Sequence, residues 1–192
     1  MGQGLHTKIL GVAMRELGLP AASIRLMTTS TDKVPNTSAT AASSGADLNG
    51  AAVAAACVTL RERLLPVAAA LLESVGGALR SDSVVADESR GIKPLPPAEI
   101  VFENGEVFAK SNPTVRISFA KVCARAYTER ISLSSTGFYK TPGVKWDWVK
   151  SEGRPFHYFA CGAAVAEVEV DGFSGMHRVR RVDIVHDVGD SL

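Results

Sequence analysis

Two short stretches of this chain have the residue types that could bind a charged ligand. The first is Gly2-Gln3-Gly4, directly ahead of an apolar-periodic segment. A helix N-terminus offers unpaired N–H groups and the positive end of a dipole, so it favours phosphates. Glycines let a ligand come close to the main chain, and Gln3 adds an amide that both donates and accepts. The second is Thr40-Ala41-Ala42-Ser43-Ser44-Gly45, ahead of an alanine-rich segment. Small residues there leave successive backbone N–H groups accessible beside two hydroxyls, the composition of an anion-binding nest. Each stretch taken alone also reads as a plain turn and helix cap, because a lone Gly-x-Gly is a weak signal.

Other chemistry-bearing residues are scattered. His6, His157, His177 and His186 form no spaced ligand set, and Cys57, Cys123 and Cys161 include no CxxC pair. A zinc site or a cysteine-held iron–sulfur cluster within the chain is therefore disfavoured. Three distant cysteines also argue against a disulfide framework and point to a reducing, cytoplasmic setting. Cys57 and Cys161 read as core residues, and His157 as a strand residue with a satisfied ring. Glu167 and Glu169 read as solvated strand carboxylates facing Arg178 or Arg180 across a hairpin. Trp146 and Trp148, alternating around Asp147, suit surface packing.

The elements that must position these residues follow from periodicity. Leu5, Ile9, Val12, Ala13 and Leu17 mark a first helix, ended by Gly18 and Pro20. Ser23 to Thr28 reads as a short strand and Ser30 to Ser38 as a polar loop. A second helix starts between Ser44 and Asp47 and runs through Leu64, alanine on nearly every side, the pattern of a buried helix. Residues 66–97 read as an irregular, variable insertion, with Ala68 to Leu72 continuing the helix. Ile100 to Phe102 and Val107 to Ala109 form a hairpin around Asn104-Gly105. Ser118 caps a third helix whose buried face is Phe119, Val122, Cys123, Ala126 and Tyr127. Ile131 to Ser135 is a further strand. Phe156 to Val170, bent at Gly162, turns at Asp171 to Gly175 and returns as Arg178 to Asp187. These elements make an α+β fold, helices packed on mixed or antiparallel strands, in a single domain over residues 1–192. Both ends read as cut within committed structure.

Composition bounds the partners. The chain has 192 residues, 46% of them hydrophobic, and a formal net charge of +1. That is enough apolar material for a core, and no field for nucleic acid or an anionic membrane. No run of 18 apolar residues is present, so no membrane span is expected, and the first residues lack the charged leader of a signal peptide.

Taken together, the motifs resemble one family. Met1-Gly2-Gln3-Gly4-Leu5-His6-Thr7-Lys8 resembles a run of xanthine dehydrogenase and its relatives, the molybdenum hydroxylases. So do Val34-Pro35-Asn36-Thr37-Ser38-Ala39-Thr40-Ala41-Ala42-Ser43, then Ser132 to Tyr139, Pro155 to Phe159, and Val182 to Gly189. Order and spacing agree over nearly the whole chain, apart from Leu65 to Lys93.

The resemblance implies part of the second molybdopterin-binding domain of such an enzyme, inactive by itself. It implies a molybdenum ion held by the pterin's dithiolene rather than by protein cysteines. Gln3 and Gly4 would contact the cofactor, as would Ser43, Ser44 and Gly45. Ala42 would bring its backbone N–H close to the molybdenum ligands, and Ala41 would lie against a purine substrate. Ser44-Gly45 stands where mammalian relatives carry Val-Ser, so a hydroxyl contact at position 45 is lost here. The family hydroxylates a carbon beside a ring nitrogen with water as oxygen source. Its electrons leave through two [2Fe–2S] clusters and FAD to NAD. Its catalytic glutamate lies beyond Leu192, so no catalytic residue is assigned within the chain. The implied partners are the N-terminal molybdopterin-binding, FAD and iron–sulfur parts, in a dimer or heteromer, with neither nucleic acid nor membrane. The alternatives are an aldehyde or other N-heterocycle hydroxylase, and a non-catalytic scaffold module. A purely nucleotide-binding protein is disfavoured by the lack of a P-loop or GxGxxG.

Overall fold

A computed structural model of the chain describes residues 3–30, 32–33, 40–41, 44–80 and 95–189, with the side chains of 77–80 left out. The chain forms two compact units, residues 1–140 and 141–192. Helices and antiparallel strands make up the architecture, as the α+β reading expects.

In the first unit, helix α1 spans Leu5–Leu17 and stops where the glycine signal places the stop. Gly18 adopts φ 62° and its N–H donates to the Met14 carbonyl. The site cannot accept a side chain, since a Cβ on Gly18 would lie 2.2 Å from the Phe102 carbonyl oxygen. After a 3-10 turn at Ala21–Ser23 the chain is extended but unpaired. The strand expected over Ser23 to Thr28 is therefore corrected. Its side chains face solvent apart from the half-buried Ile24, and alternation alone cannot make a strand without a neighbour to bond. Most of the polar loop expected at Ser30 to Ser38 lies outside the described residues.

Helix α2 runs from Gly45 to Arg80, straight through Pro66. The irregular insertion expected from residue 66 is thus helical as far as 80, Gly76 and Gly77 included; residues 81–94 lie outside the described residues. Pro66 removes one helical N–H and costs the helix accordingly. The loss is offset by burial, because the residues around it are the most deeply packed of α2. Leu64, Val67, Ala68, Ala69 and Leu72 share one core with Ile100, Val107, Val115, Ile117, Val122 and Ala126. Glu73 holds the returning chain by accepting the Leu95 N–H at 2.8 Å.

The core's other wall is a three-stranded antiparallel sheet of β1 (Ile100–Glu103), β2 (Glu106–Ala109) and β3 (Asn112–Ser118), in that order. The β1–β2 turn places Asn104 at φ 50° and Gly105 at φ 80°, the left-handed pair that Asn-Gly supplies. Its Gly105 N–H donates to the Gly18 carbonyl at 2.8 Å, tying the sheet to the end of α1. Strand β3 has no counterpart in the sequence reading. Pro113 argues against a strand, but β3 is an edge, where proline is tolerated.

Helix α3 (Phe119–Thr128) starts at Ser118, whose Oγ accepts the Lys121 N–H at 3.2 Å. Val122 and Ala126 are buried, while Tyr127 is 76% exposed and leaves the expected face. Replacing the cap, Ser118→Ala, is expected to cost about 1 kcal/mol of helix stability, read as faster amide exchange over α3 alone. The strand expected at Ile131 to Ser135 is also corrected. Its carbonyls face Arg63 of α2, whose Nη1 donates to Ser134 at 2.9 Å and Ser132 at 3.4 Å, instead of another strand. Gly137 then lies directly on α2, where a Cβ would come 1.7 Å from the Ala52 carbonyl oxygen.

The second unit contains two hairpins. Strands β4 (Lys145–Asp147) and β5 (Glu152–Arg154) pair antiparallel, as do β6 (Gly162–Val170) and β7 (His177–His186). Trp146 and Trp148 touch edge to face at 6.4 Å on the surface. Glu169 receives Arg178 at 2.8 Å and also pairs with Arg180, as the cross-strand reading expects. These two guanidinium groups, Arg180 foremost, hold the Glu169 carboxyl below its ordinary value. The Asp171 to Gly175 turn is closed by the Asp171 carboxylate, which accepts from the Phe173 N–H and the Ser174 hydroxyl. Two expectations fail here. His157 lies outside any strand, and Cys161 is exposed and not in a core. His157 precedes the start of the β6–β7 ladder, and Cys161 stands at its end, where its carbonyl accepts the Asp187 N–H at 2.9 Å.

Candidate functional site

The starts of α1 and α2, which follow the two stretches singled out at first, come together in the first unit. Gln3 is exposed, and Gly4 forms the N-cap of α1 at φ 66°, with open space where a Cβ would stand. The left-handed backbone there favours glycine. The Gly4 carbonyl takes the Lys8 N–H at 3.1 Å, so the N–H groups of Leu5, His6 and Thr7 have no acceptor within the helix. Among the described residues no side chain caps this end, and no acidic residue stands in its first turn. The positive end of α1 is therefore not neutralised by its own residues, which suits an anionic ligand.

Ala41 is exposed and Ser44 half-buried at the start of α2. The Ser44 N–H donates to the Ala41 carbonyl at 3.1 Å, and the Ser44 hydroxyl donates to the same oxygen at 2.8 Å. Ser44 in turn offers its carbonyl to Leu48 N–H at 3.0 Å, the first bonds of the helix. Gly45 is buried. A Cβ there would lie 2.9 Å from Thr40 Cγ2 and 3.0 Å from Leu5 Cδ2. Leu5 is the first residue of α1 and Gly45 the first of α2, so the two helix starts are side by side. Ala42 and Ser43 lie outside the described residues.

This packing gives Gly45 a role that sequence reasoning did not assign. Its missing side chain makes room for Leu5 and Thr40, and a ligand can reach it only through its main chain. Leu5 and Thr40 were legible as members of the motifs, but nothing in their spacing announced that both pack against Gly45. The nearest cysteine along α2 is Cys57, which is buried. Burial, then the charge of Glu16, pushes its thiol above the ordinary value, and burial does the same at Cys123. Among the described residues no group of three or more His, Cys, Asp or Glu is placed to hold a metal ion. What these helix starts offer is main-chain N–H groups, one amide and small residues. That donor set fits a cofactor that carries its metal on its own ligands and presents phosphate and pterin edges to the protein. Asp47, in the first turn of α2, is the one acidic group at that helix start.

A family model described as a molybdopterin cofactor-binding domain matches residues 1–192, the whole chain. This chain belongs to that family. The domain is 41% identical over 192 residues to the xanthine dehydrogenase/oxidase of Mus musculus, and 39% identical to aldehyde oxidase 2 of Cavia porcellus. Both matches take in 100% of this chain, which spans 11% of the length of either relative. Among solved structures, quinoline 2-oxidoreductase from Pseudomonas putida 86 superposes with a TM-score of 0.66 at 25% identity. That match covers 98% of this chain and 20% of the other. The resemblance to the molybdenum hydroxylases, stated from five motifs, is thus met over the full length of this molybdopterin cofactor-binding domain. No helix among the described residues is long and apolar enough to cross a membrane.

Proposed function

We propose that this domain holds the molybdenum–molybdopterin cofactor of a xanthine-oxidising hydroxylase. One observation supports the reading above the others. Leu5 packs against Gly45, so the Gln3 stretch and the Ala41–Gly45 stretch border one place. There Gln3 and the N–H groups at the start of α1 donate to the cofactor, with Gly4 leaving room for it. Ala42, Ser43 and Gly45 would contribute main-chain groups, with the Ala42 N–H toward the molybdenum, while the Ser44 hydroxyl stays with Ala41. Ala41 lies against a purine. When bound, the cofactor supplies the two-electron oxidation of a ring carbon, with water as the oxygen source.

The chain's own part is to fix that group with neutral donors aimed at anionic atoms, which need no reorganisation during reaction. The rest of the enzyme brings the substrate-orienting residues, the glutamate base, two [2Fe–2S] clusters and FAD, with NAD as final acceptor. It works in the cytoplasm as a dimer or heteromer. The domain over residues 1–192 is one part of that assembly and does not turn over by itself.

An aldehyde-oxidising enzyme is the second reading, favoured by the near-equal identity to the Cavia porcellus protein. Assay of the full-length enzyme that contains this segment separates the two. Xanthine-dependent reduction of NAD is expected, and the isolated 192 residues should give none. Turnover of aldehydes without turnover of xanthine would replace the proposal by the second reading.

A further inference from the structure

We infer that Ser44 is a positioning residue for Ala41, and that its hydroxyl sets how substrate is held more than how the cofactor is held. The inference rests on the function proposed above. Ser44 has two hydrogen-bond donors, and both end on one atom, the Ala41 carbonyl oxygen, at 3.1 Å from the nitrogen and 2.8 Å from Oγ. A carbonyl oxygen has two lone pairs, and both are taken. Ser44 therefore has no donor left for an anionic cofactor unless it lets go of Ala41.

The geometry beyond this pair gives the tether its purpose. The Ser44 carbonyl receives Leu48 N–H at 3.0 Å and so belongs to the first turn of α2. The next residue, Gly45, is packed on Leu5 and Thr40. Ser44 thus ties an exposed residue, Ala41, to the point where both long helices are locked together. The two bonds to one oxygen fix the direction of the Ala41 carbonyl as well as its distance. A small residue so held offers a defined apolar surface to a ring lying against it. Deletion of the hydroxyl leaves the Ser44 N–H bond alone to hold the Ala41 carbonyl.

The test uses the full-length enzyme with Ser44→Ala and Ser44→Thr, reading molybdenum per protomer together with KM and kcat for xanthine. One hydrogen bond's worth of positioning predicts that Ser44→Ala raises KM about fivefold. Molybdenum content and kcat should stay within about twofold of wild type by the same reasoning, and Ser44→Thr, which keeps a hydroxyl, should return KM toward wild type. Loss of molybdenum in step with activity would overturn the inference, because the hydroxyl would then be holding the cofactor. An unchanged KM in Ser44→Ala would overturn it equally. A wild-type enzyme that contains no molybdenum would instead overturn the function on which the inference rests.

Discussion

Gly137→Ala is expected to lift the segment after α3 off helix α2 and to speed amide exchange around Ala52 to Ala56 about 100-fold, a loss of about 3 kcal/mol of protection. The new methyl would stand 1.7 Å from the Ala52 carbonyl oxygen, 2.7 Å from its carbon and 2.9 Å from the Ala56 nitrogen. All three are main-chain atoms of a helix, so no rotamer change relieves the overlap. The backbone of residue 137 must move, yet Arg63 holds the same segment through the Ser134 and Ser132 carbonyls. Strain is thus passed to α2 instead of being released into a loop. Ala52 and Ala56 lie one turn apart on one face, and their small side chains make the close approach possible. Unaltered exchange over Ala52 to Ala56 in this variant would show that the segment does not rest on the helix.

The same contact explains what the amino-acid letters disclosed and what they hid. Alanine on nearly every side of the second helix announced close packing, but not the identity of the neighbour. Gly137 sits 85 residues further along, and its function is defined only by the atom it faces. Features governed by local rules were fully legible. Leu5 to Gly18, the Asn104-Gly105 turn and the Ser118 cap each need only residues within a few positions of one another. Features decided by distant packing were not. Residues 66–97 read as irregular apart from Ala68 to Leu72, yet the core around Leu64, Val67 and Leu72 carries the helix on to Arg80. Ile131 to Ser135 has strand-like letters, but its carbonyls are claimed by a guanidinium. Pro113 hid β3, since nothing in the local letters reveals that a strand will be an edge.

The candidate site divides in the same way. The residue types around Gln3 and around Ala41 to Gly45 pointed to anion binding at two helix starts. That the starts would be adjacent came from the family resemblance alone. The physical means of that adjacency, an absent side chain at Gly45 filled by Leu5 and Thr40, appears only in three dimensions. Ser44 shows the limit most clearly. Its hydroxyl reads as a ligand contact, and nothing in the local letters announces the bond that it makes to Ala41.

If the start of α1 holds an anionic cofactor, Gln3→Glu in the full-length enzyme has effects of opposite sign on the helix and on the ligand. Gln3 is exposed ahead of an uncapped helix with no acidic residue in its first turn. A carboxylate there stabilises the helix dipole by about 0.5 kcal/mol, so amide protection in α1 should hold or rise. Toward an anionic ligand the change removes a donor and adds a like charge, so affinity should fall by roughly 2–3 kcal/mol or more. The decisive measurement is molybdenum per protomer. A fall of about tenfold or more is expected while α1 stays intact. Molybdenum at the wild-type level in Gln3→Glu, with the helix equally intact, would contradict it.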